Sequence, residues 1–150
     1  MTAATDIHVA AGVLIDIHGR ILIAQRPPGV PFAGAWEFPG GKIGAAELPL
    51  QALIRELDEE LNVRVRYVRH LVRYSHIDEG RRIYLSVWRV LNWLGEPSGA
   101  EGQALRWLPA HELMVKGLLP ADEHIVNCLS RTVAVNTCKD FSSAALREIV

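Results

Sequence analysis

The feature that most constrains this chain is a helical repeat that carries apolar and acidic side chains on adjoining faces. Helical periodicity begins near Glu47 and ends at about Leu61. Pro49 suits the first turn, where its missing N–H is not needed, and Asn62 suits the left-handed residue that ends many helices. Five apolar side chains fall within an arc of about 100° and predict one buried stripe: Leu50, Leu53, Ile54, Leu57 and Leu61.

Three carboxylates lie beside this stripe, on Glu56, Glu59 and Glu60. Like charges within two helical turns repel one another, and only Arg55 is close enough in sequence to compensate. Clustered carboxylates suit Mg²⁺, which takes oxygen ligands and binds one or two carboxylates together with substrate phosphates. Taken alone, however, an acidic cluster is more typical of a solvated helix face.

The wider spacing favours the metal site. Gly41 is followed after five residues by Glu47, and after seven more by the run 55–60, Arg-Glu-Leu-Asp-Glu-Glu. This pattern resembles the signature box of the Nudix hydrolases at every charged position. Asn62 stands where the family has glycine, and asparagine tolerates the same positive φ.

The resemblance continues over residues 8–129 and is to the MutT branch of the family, which removes 8-oxo-dGTP. The segments that carry it are EFPGGKI at 37–43, GEPSGAEGQALRW at 95–107 and LPADEHI at 119–125. Gly44-Ala45-Ala46 departs from the usual loop, which has glycine just before the first box glutamate. Asp122 stands where the branch has asparagine. These two departures leave the loop geometry and the base specificity open.

Hydrophobic patterning predicts the remaining elements. Residues 7–17 and 20–26 are expected to pair as a hairpin around His18-Gly19, followed by a proline-rich loop at 27–36. Further strands are predicted at 63–75, 82–93 and 104–108, and helical segments at 109–114 and 120–129.

The resemblance implies an α/β (α+β) architecture, the Nudix fold. In this fold a mixed β-sheet is sandwiched between α-helices, and the box forms a loop–helix–loop. A chain of 150 residues is long enough for one such domain. We assign residues 1–131 to the domain and residues 132–150 to a C-terminal tail, which is either a further helix or partly disordered.

The same resemblance implies hydrolysis of nucleoside triphosphates to the monophosphate and pyrophosphate, with Mg²⁺ as cofactor and Mn²⁺ as a substitute. Oxidised purine dNTPs such as 8-oxo-dGTP are the expected substrates. Cations that bridge phosphate oxygens remove the repulsion that hydroxide meets at a triphosphate, which agrees with this chemistry. The implied ligands are the Gly41 carbonyl and the carboxylates of Glu56, Glu59, Glu60 and Glu101.

Two roles in this site are less direct. Glu101 is expected to act as a ligand or as the base for the attacking water, and which glutamate takes the proton is left open. Arg55 and Glu47 are expected to form an ion pair that ties the box loop to the helix.

Four residues match substrate-side positions of the MutT branch: Arg26, Phe38, Arg81 and Asp122. Lys42 lies beside the box loop and is either a phosphate contact or a solvated lysine. Phe38 either packs against a purine or fills the core. Trp36 is more simply explained by core packing than by base stacking.

Two other functions stay open. One is a Nudix hydrolase that acts on another nucleoside diphosphate-linked substrate, such as an unmodified NTP or dNTP, ADP-ribose or a dinucleotide. The other is a non-catalytic module that senses a nucleotide. Such modules tend to lose box glutamates, whereas this chain keeps Glu47, Glu56, Glu59 and Glu60.

Composition argues against other classes. Sixteen Lys and Arg against 17 Asp and Glu give a net charge of −1, so stable nucleic-acid binding is not expected. No apolar run approaches the roughly 20 residues of a membrane span, and the N-terminus lacks the basic residues of a secretory signal. Cys128 and Cys138 cannot form a disulfide framework and are expected to be reduced thiols in the cytoplasm. The expected partner is a small-molecule nucleotide, bound by a monomer or a homodimer.

Overall fold

Two β-sheets and two α-helices organise the part of the chain that the computed structural model describes, residues 5–135. The strands are β1 (Ile7–Leu14), β2 (Ile21–Gln25), β3 (Trp36–Glu37), β4 (Gly40–Lys42), β5 (Arg64–Asp78), β6 (Arg81–Leu94) and β7 (Leu105–Leu108). The helices are α1 (Pro49–Leu61) and α2 (Glu123–Val135), with short 3₁₀ helices at Ala110–Lys116 and Pro120–Asp122. No helix among residues 5–135 is long and apolar enough to cross a lipid bilayer.

Helix α1 begins and ends as its sequence predicts. Pro49 occupies the first turn, and the side-chain oxygen of Gln51 accepts the Leu48 N–H at 3.0 Å. Asn62 ends the helix in the left-handed conformation, at φ 58°, with its N–H bonded to the Asp58 carbonyl at 3.0 Å. The predicted stripe is the inner face of the helix: Leu53, Leu57 and Leu61 are fully buried, and Leu50 and Ile54 are partly buried.

The strands form a four-stranded mixed sheet in the order β4-β1-β6-β5 and a three-stranded antiparallel sheet in the order β3-β2-β7. The mixed character comes from β1, which runs parallel to β6 over eight residue pairs, from Ile7–Ile83 to Leu14–Val90, and antiparallel to β4. The predicted mixed fold is confirmed.

The hairpin predicted for residues 7–17 and 20–26 is wrong beyond its turn. The turn forms, with the Gly19 N–H bonded to the Asp16 carbonyl at 3.0 Å and a single bridge between Ile15 and Ile21. Beyond that bridge, β6 and β4 occupy the two edges of β1, so β2 pairs with β3 and β7 in the second sheet.

Apolar clusters on opposite faces of the large sheet hold the helices in place. Leu53 and Leu57 of α1 belong to one cluster, with β1, β5 and β6. Ile125 and Leu129 of α2 and Leu113 of the first 3₁₀ helix belong to the other. Burying each such side chain contributes about 1.5–3 kcal/mol. This packing fixes the segment just before α2 against the sheet.

The C-terminal prediction is only partly covered by the structure. A 3₁₀ helix precedes α2, which continues to Val135, so the domain boundary proposed after residue 131 falls within α2. Residues 136–150, including Cys138, lie outside the described residues, and the assignment of a separate tail stays a prediction.

Candidate functional site

Arg55 ties the box loop to α1. Its guanidinium donates to both oxygens of Glu47, at 2.8 and 2.9 Å, and to the Lys42 carbonyl at 3.1 Å. Glu47 also accepts the Gly44 N–H at 3.0 Å. These bonds, the Arg55 bond foremost, lower the pKa of Glu47 to about 2. The predicted ion pair is present, and it fixes the loop by charge-assisted bonds.

The same guanidinium contacts two of the predicted metal ligands. Arg55 Nη1 lies 2.8 Å from Glu56 Oε1 and 3.3 Å from Glu59 Oε2. Glu56 lies close against the backbone of Gly41, where a Cβ would overlap its carboxylate. Because Gly41 has no Cβ, the Glu56 carboxylate can pack directly against the backbone of the loop.

Glu60 is the most strongly perturbed carboxyl group of this region. Its Oε2 accepts the Gly40 N–H at 3.2 Å. Burial raises the pKa of Glu60 to about 8, with further contributions from the negative charges of Glu56, Glu37 and Glu101. The site therefore carries more negative charge than its own hydrogen bonds offset.

Glu101 is exposed on a loop that is fastened to the end of α1. Gln103 makes the connection: its side-chain oxygen accepts the Glu101 N–H at 2.9 Å, and its Nε2 donates to the Glu60 carbonyl at 2.8 Å. The Ala100 N–H donates to the same carbonyl at 3.1 Å. This loop brings Glu101 near Glu60, where the negative charge of Glu101 further raises the pKa of Glu60.

These donors fit a hard divalent cation in chemistry. Carboxylate and carbonyl oxygens are the ligands that Mg²⁺ prefers. A cation would stabilise the ionised form of Glu60 against the burial and the neighbouring negative charges that raise its pKa. Within residues 5–135, no three Asp, Glu, His or Cys side chains are arranged to hold a metal ion. The carboxylates of Glu56 and Glu59 contact Arg55, and that of Glu60 contacts the Gly40 N–H.

A cavity of about 270 Å³ joins this acidic region to Asp122. Gly40, Gly41 and Glu60 line it together with Phe38 and Asp122. A cavity of this size and mixed lining is suited to a small ligand with one charged end. The box and the predicted base-side residues therefore share one cleft.

Asp122 is buried at the base side of the cleft. Only 5% of it is exposed, and its Oδ2 accepts the backbone N–H of Phe38 at 2.9 Å. Burial raises the pKa of Asp122 to about 7, and the charge of Glu37 adds to the shift. The carboxyl group can therefore change protonation near neutral pH.

The two aromatic residues before the box are both buried. Phe38 belongs to the core cluster of α2 and lines the cleft, and it is its backbone N–H that contacts Asp122. Trp36 is 8% exposed. It belongs to the same core cluster, which supports the core-packing interpretation. The centroid of its ring lies 5.5 Å from Lys116 Nζ and 5.9 Å from the Arg106 guanidinium carbon.

A second cavity of about 280 Å³ adjoins the first, and both are lined by Arg26 and Lys42. Arg81 lines only this second cavity, is exposed, and lies 3.7 Å from Asp78. Lys42 is also exposed. The structure therefore places all five predicted substrate-side residues around the two adjoining cavities. Asp122 lines the cavity that Gly41 and Glu60 also line, and Arg81 lines the other.

Sequence reasoning missed Glu37 and Gln103. Arg26 Nη1 lies 2.9 Å from Glu37 Oε2, and burial raises the pKa of Glu37. Glu37 is the first residue of the segment EFPGGKI, but the sequence alone indicates no role for it, and its pairing with Arg26, eleven positions away in sequence, gives no periodic signal. Gln103 is a single polar residue in a polar loop, so nothing in the sequence distinguishes it.

Comparison with known proteins bears on the family of this chain. The family model described as NUDIX domain matches residues 6–129. An 8-oxo-dGTP diphosphatase of Haemophilus influenzae is 37% identical over 123 residues, which is 82% of this chain and 90% of that protein. A CTP pyrophosphohydrolase of Escherichia coli is 40% identical over 116 residues, 77% of this chain and 85% of that protein.

Solved structures show the same architecture. The solution structure of the E. coli ORF135 protein superposes with a TM-score of 0.79 at 34% identity, covering 93% of this chain and 99% of that one. A MutT structure from a study of the Aliivibrio salmonicida and Vibrio cholerae proteins gives a TM-score of 0.74 at 29% identity, covering 85% and 99%.

Proposed function

The chain belongs to the Nudix hydrolase family, and from that premise we propose that it hydrolyses nucleoside triphosphates to the monophosphate and pyrophosphate. We take oxidised purine deoxynucleotides such as 8-oxo-dGTP as the leading substrates. Relatives named 8-oxo-dGTP diphosphatase, 34–43% identical to this chain in three bacteria, support that substrate class.

The observation that carries the proposal is the shared cleft. Its acidic end is built from Gly40, Gly41 and Glu60, and the other side from Phe38 and Asp122. A nucleoside triphosphate has matching parts, because a charged phosphate chain is joined through a sugar to a base with hydrogen-bonding edges. The cleft is therefore suited to hold the phosphates at the box and the base beside Asp122.

Mg²⁺ is the cofactor we propose. When bound, a divalent cation neutralises phosphate charge and lowers the pKa of a bound water. The residues that would hold it are Glu56, Glu59, Glu60 and Glu101, with the Gly41 carbonyl. The Arg55–Glu47 pair would fix the position of the loop backbone relative to α1 around the cation. Lys42 and Arg26 line the cleft and supply positive charge there.

A second candidate is an unmodified pyrimidine nucleotide. Asp122 favours it, because an ionised carboxylate accepts hydrogen bonds and can pair with an exocyclic amino group such as that of cytosine. The similar E. coli protein named CTP pyrophosphohydrolase supports this candidate. We further propose that the enzyme acts in the cytoplasm as a monomer or homodimer without stable nucleic-acid binding.

A turnover screen tests the proposal. Purified protein is incubated with 8-oxo-dGTP, dGTP, CTP, dCTP, ADP-ribose and a diadenosine polyphosphate, with Mg²⁺ or with EDTA, and the products are resolved by ³¹P NMR. The expected result is cation-dependent release of pyrophosphate, fastest from 8-oxo-dGTP. Fastest turnover of CTP would select the second candidate, and no hydrolysis of any compound would refute both.

A further inference from the structure

We infer that Glu37, paired with Arg26, reads a hydroxyl group of the substrate's sugar and so sets the sugar preference of this enzyme. This inference rests on the proposed function, since it takes the ligand to be a nucleoside triphosphate. It begins from the position of Glu37 in the cleft, which the sequence did not indicate.

Glu37 lines the cleft together with residues of both its ends. Glu60 and Asp122 line the same cavity. The backbone that follows Glu37 bonds to both carboxyl groups, through the Phe38 N–H to Asp122 at 2.9 Å and the Gly40 N–H to Glu60 at 3.2 Å. The part of a nucleotide that lies between its phosphates and its base is the sugar. Glu37 is therefore placed where the sugar must pass.

The hydrogen-bonding capacity of the pair matches a hydroxyl group. Arg26 Nε donates to the Pro31 carbonyl at 2.7 Å and Nη1 donates to Glu37 Oε2 at 2.9 Å, so the guanidinium is held from two sides. Among the described residues, Glu37 Oε1 and Arg26 Nη2 have no further hydrogen bond. One is an acceptor and the other a donor, and a hydroxyl group both donates and accepts.

Arg26 and Glu37 are partly buried, which increases the cost of leaving their hydrogen-bonding groups unpaired. The side chains of Arg26 and Glu37 are 24% and 28% exposed, and a bound nucleotide would cover them further. A substrate that lacks the hydroxyl would leave a covered charged acceptor unpaired, which is costly compared with losing a solvated contact. Sites built this way discriminate strongly against analogues that lack the group.

The test is a comparison of kcat/KM across four sugars with one base. GTP, dGTP, 3′-deoxy-GTP and 2′,3′-dideoxy-GTP are assayed with Mg²⁺ on the unmodified protein and on Glu37→Ala, and the series is repeated with cytosine as the base. Ratios within a series cancel any effect of Glu37 on the nearby acidic site or on the base. Glu112→Ala, at a half-exposed position outside the cleft, is the matched control.

For the unmodified protein and for Glu112→Ala, we expect kcat/KM to fall about tenfold or more when the substrate lacks the hydroxyl group that Glu37 contacts. In Glu37→Ala, kcat/KM should fall by no more than about twofold for the same change of substrate. A loss shared by 3′-deoxy-GTP and the dideoxy compound identifies the 3′-hydroxyl, and a loss shared by dGTP and the dideoxy compound identifies the 2′-hydroxyl. If Glu37→Ala does not fold, Glu37→Gln replaces it, and the loss should shrink at least threefold.

Equal ratios in the unmodified protein and the Glu37 variant would overturn the inference while leaving the proposed function intact. Uniform turnover of all four sugars by the unmodified protein would overturn it as well. Absence of hydrolysis of every triphosphate would overturn the proposed function and, with it, this inference.

Discussion

The carboxylate of Glu56 occupies the space that a Cβ on Gly41 would need. Gly41 is not in the left-handed region, so alanine would adopt its backbone conformation without strain. Position 41 is therefore limited to glycine by the space that the proposed metal ligand Glu56 occupies, and not by its backbone dihedral angles.

Gly41→Ala should consequently impair catalysis more than folding. We expect kcat to fall at least about tenfold, because Glu56 must move, while the free energy of unfolding changes by less than about 1 kcal/mol. Gly44→Ala is the control, since its Cβ would lie 3.4 Å from Glu47 Oε1, an ordinary contact. Steady-state kinetics and thermal melts measure both. Equal loss of activity in the two variants would contradict the assignment of Glu56.

Arg55→Lys should lower activity because lysine cannot reproduce the fork that holds both oxygens of Glu47. We expect a decrease in kcat/KM of about 10–100-fold, the usual effect of removing a partner that orients metal ligands. Arg20→Lys, in a 2.8 Å pair with Asp16 at an exposed turn, should leave activity unchanged. Titration with Mg²⁺ should show weaker activation only in Arg55→Lys.

The sequence predicts the box helix well because its local signals agree. The leucine stripe, Pro49 and Asn62 each specify α1 without reference to the rest of the chain, and the structure has all three in the expected roles. The spaced glutamates likewise identify the family. Local patterning and motif spacing are thus sufficient for this element and for the family, and the roles of the site residues stay predictions.

Contacts between distant segments could not be predicted in the same way. The apolar run at residues 21–24 indicates a strand, but not that β6 and β4 already occupy both edges of β1. The bond from the Phe38 N–H to Asp122 joins residues 84 positions apart. Such pairings depend on how the sheets assemble, and single-sequence patterns do not contain that information.

The raised pKa of Glu60 predicts how the metal-free protein responds to pH. A carboxyl group whose pKa rises from 4.5 to about 8 on folding favours the folded state only while it is protonated. Stability without metal should therefore fall as pH increases from about 4.5 to about 8. Glu60→Gln should make this dependence shallower and raise the melting temperature at pH 8, whereas Glu59→Gln should keep the slope. The remaining slope in Glu60→Gln comes from Asp122 and Glu37, whose pKa values are also raised on folding.

Both substitutions should still abolish most turnover. Each removes one proposed ligand charge, so kcat with Mg²⁺ should fall by orders of magnitude while circular dichroism stays native. Undiminished turnover in Glu60→Gln would contradict the metal-site assignment.

Removal of the C-terminal residues should leave catalysis intact. Among the α2 side chains that the structure describes, up to residue 131, Ile125, Val126 and Leu129 are buried in the core. A variant that ends at Arg131 should keep its kcat/KM, and one that ends at Val135 serves as the control with the described helix complete. A loss of more than about tenfold, or roughly 1.4 kcal/mol of transition-state stabilisation, would show that the removed residues support the site.

Asp122 should make base preference depend on pH. Its Oδ2 is bonded to the Phe38 N–H, which leaves Oδ1 for a base in the cleft. With a pKa of about 7, the group is mostly protonated at pH 6 and can donate to O6 of 8-oxoguanine. At pH 8 it is mostly ionised, repels O6, and accepts from the N1–H and amino group of unmodified guanine.

The ratio of kcat/KM for 8-oxo-dGTP over dGTP should therefore be higher at pH 6 than at pH 8. Asp122→Asn should remove this pH dependence, because an amide donates and accepts at every pH. It should also raise the ratio at pH 8 by about fivefold or more, since a buried polar mismatch costs about 1–3 kcal/mol. Changes common to both nucleotides cancel in the ratio. A ratio that stays within about twofold between pH 6 and pH 8, and between Asp122 and its asparagine variant, would mean that Asp122 does not read the base.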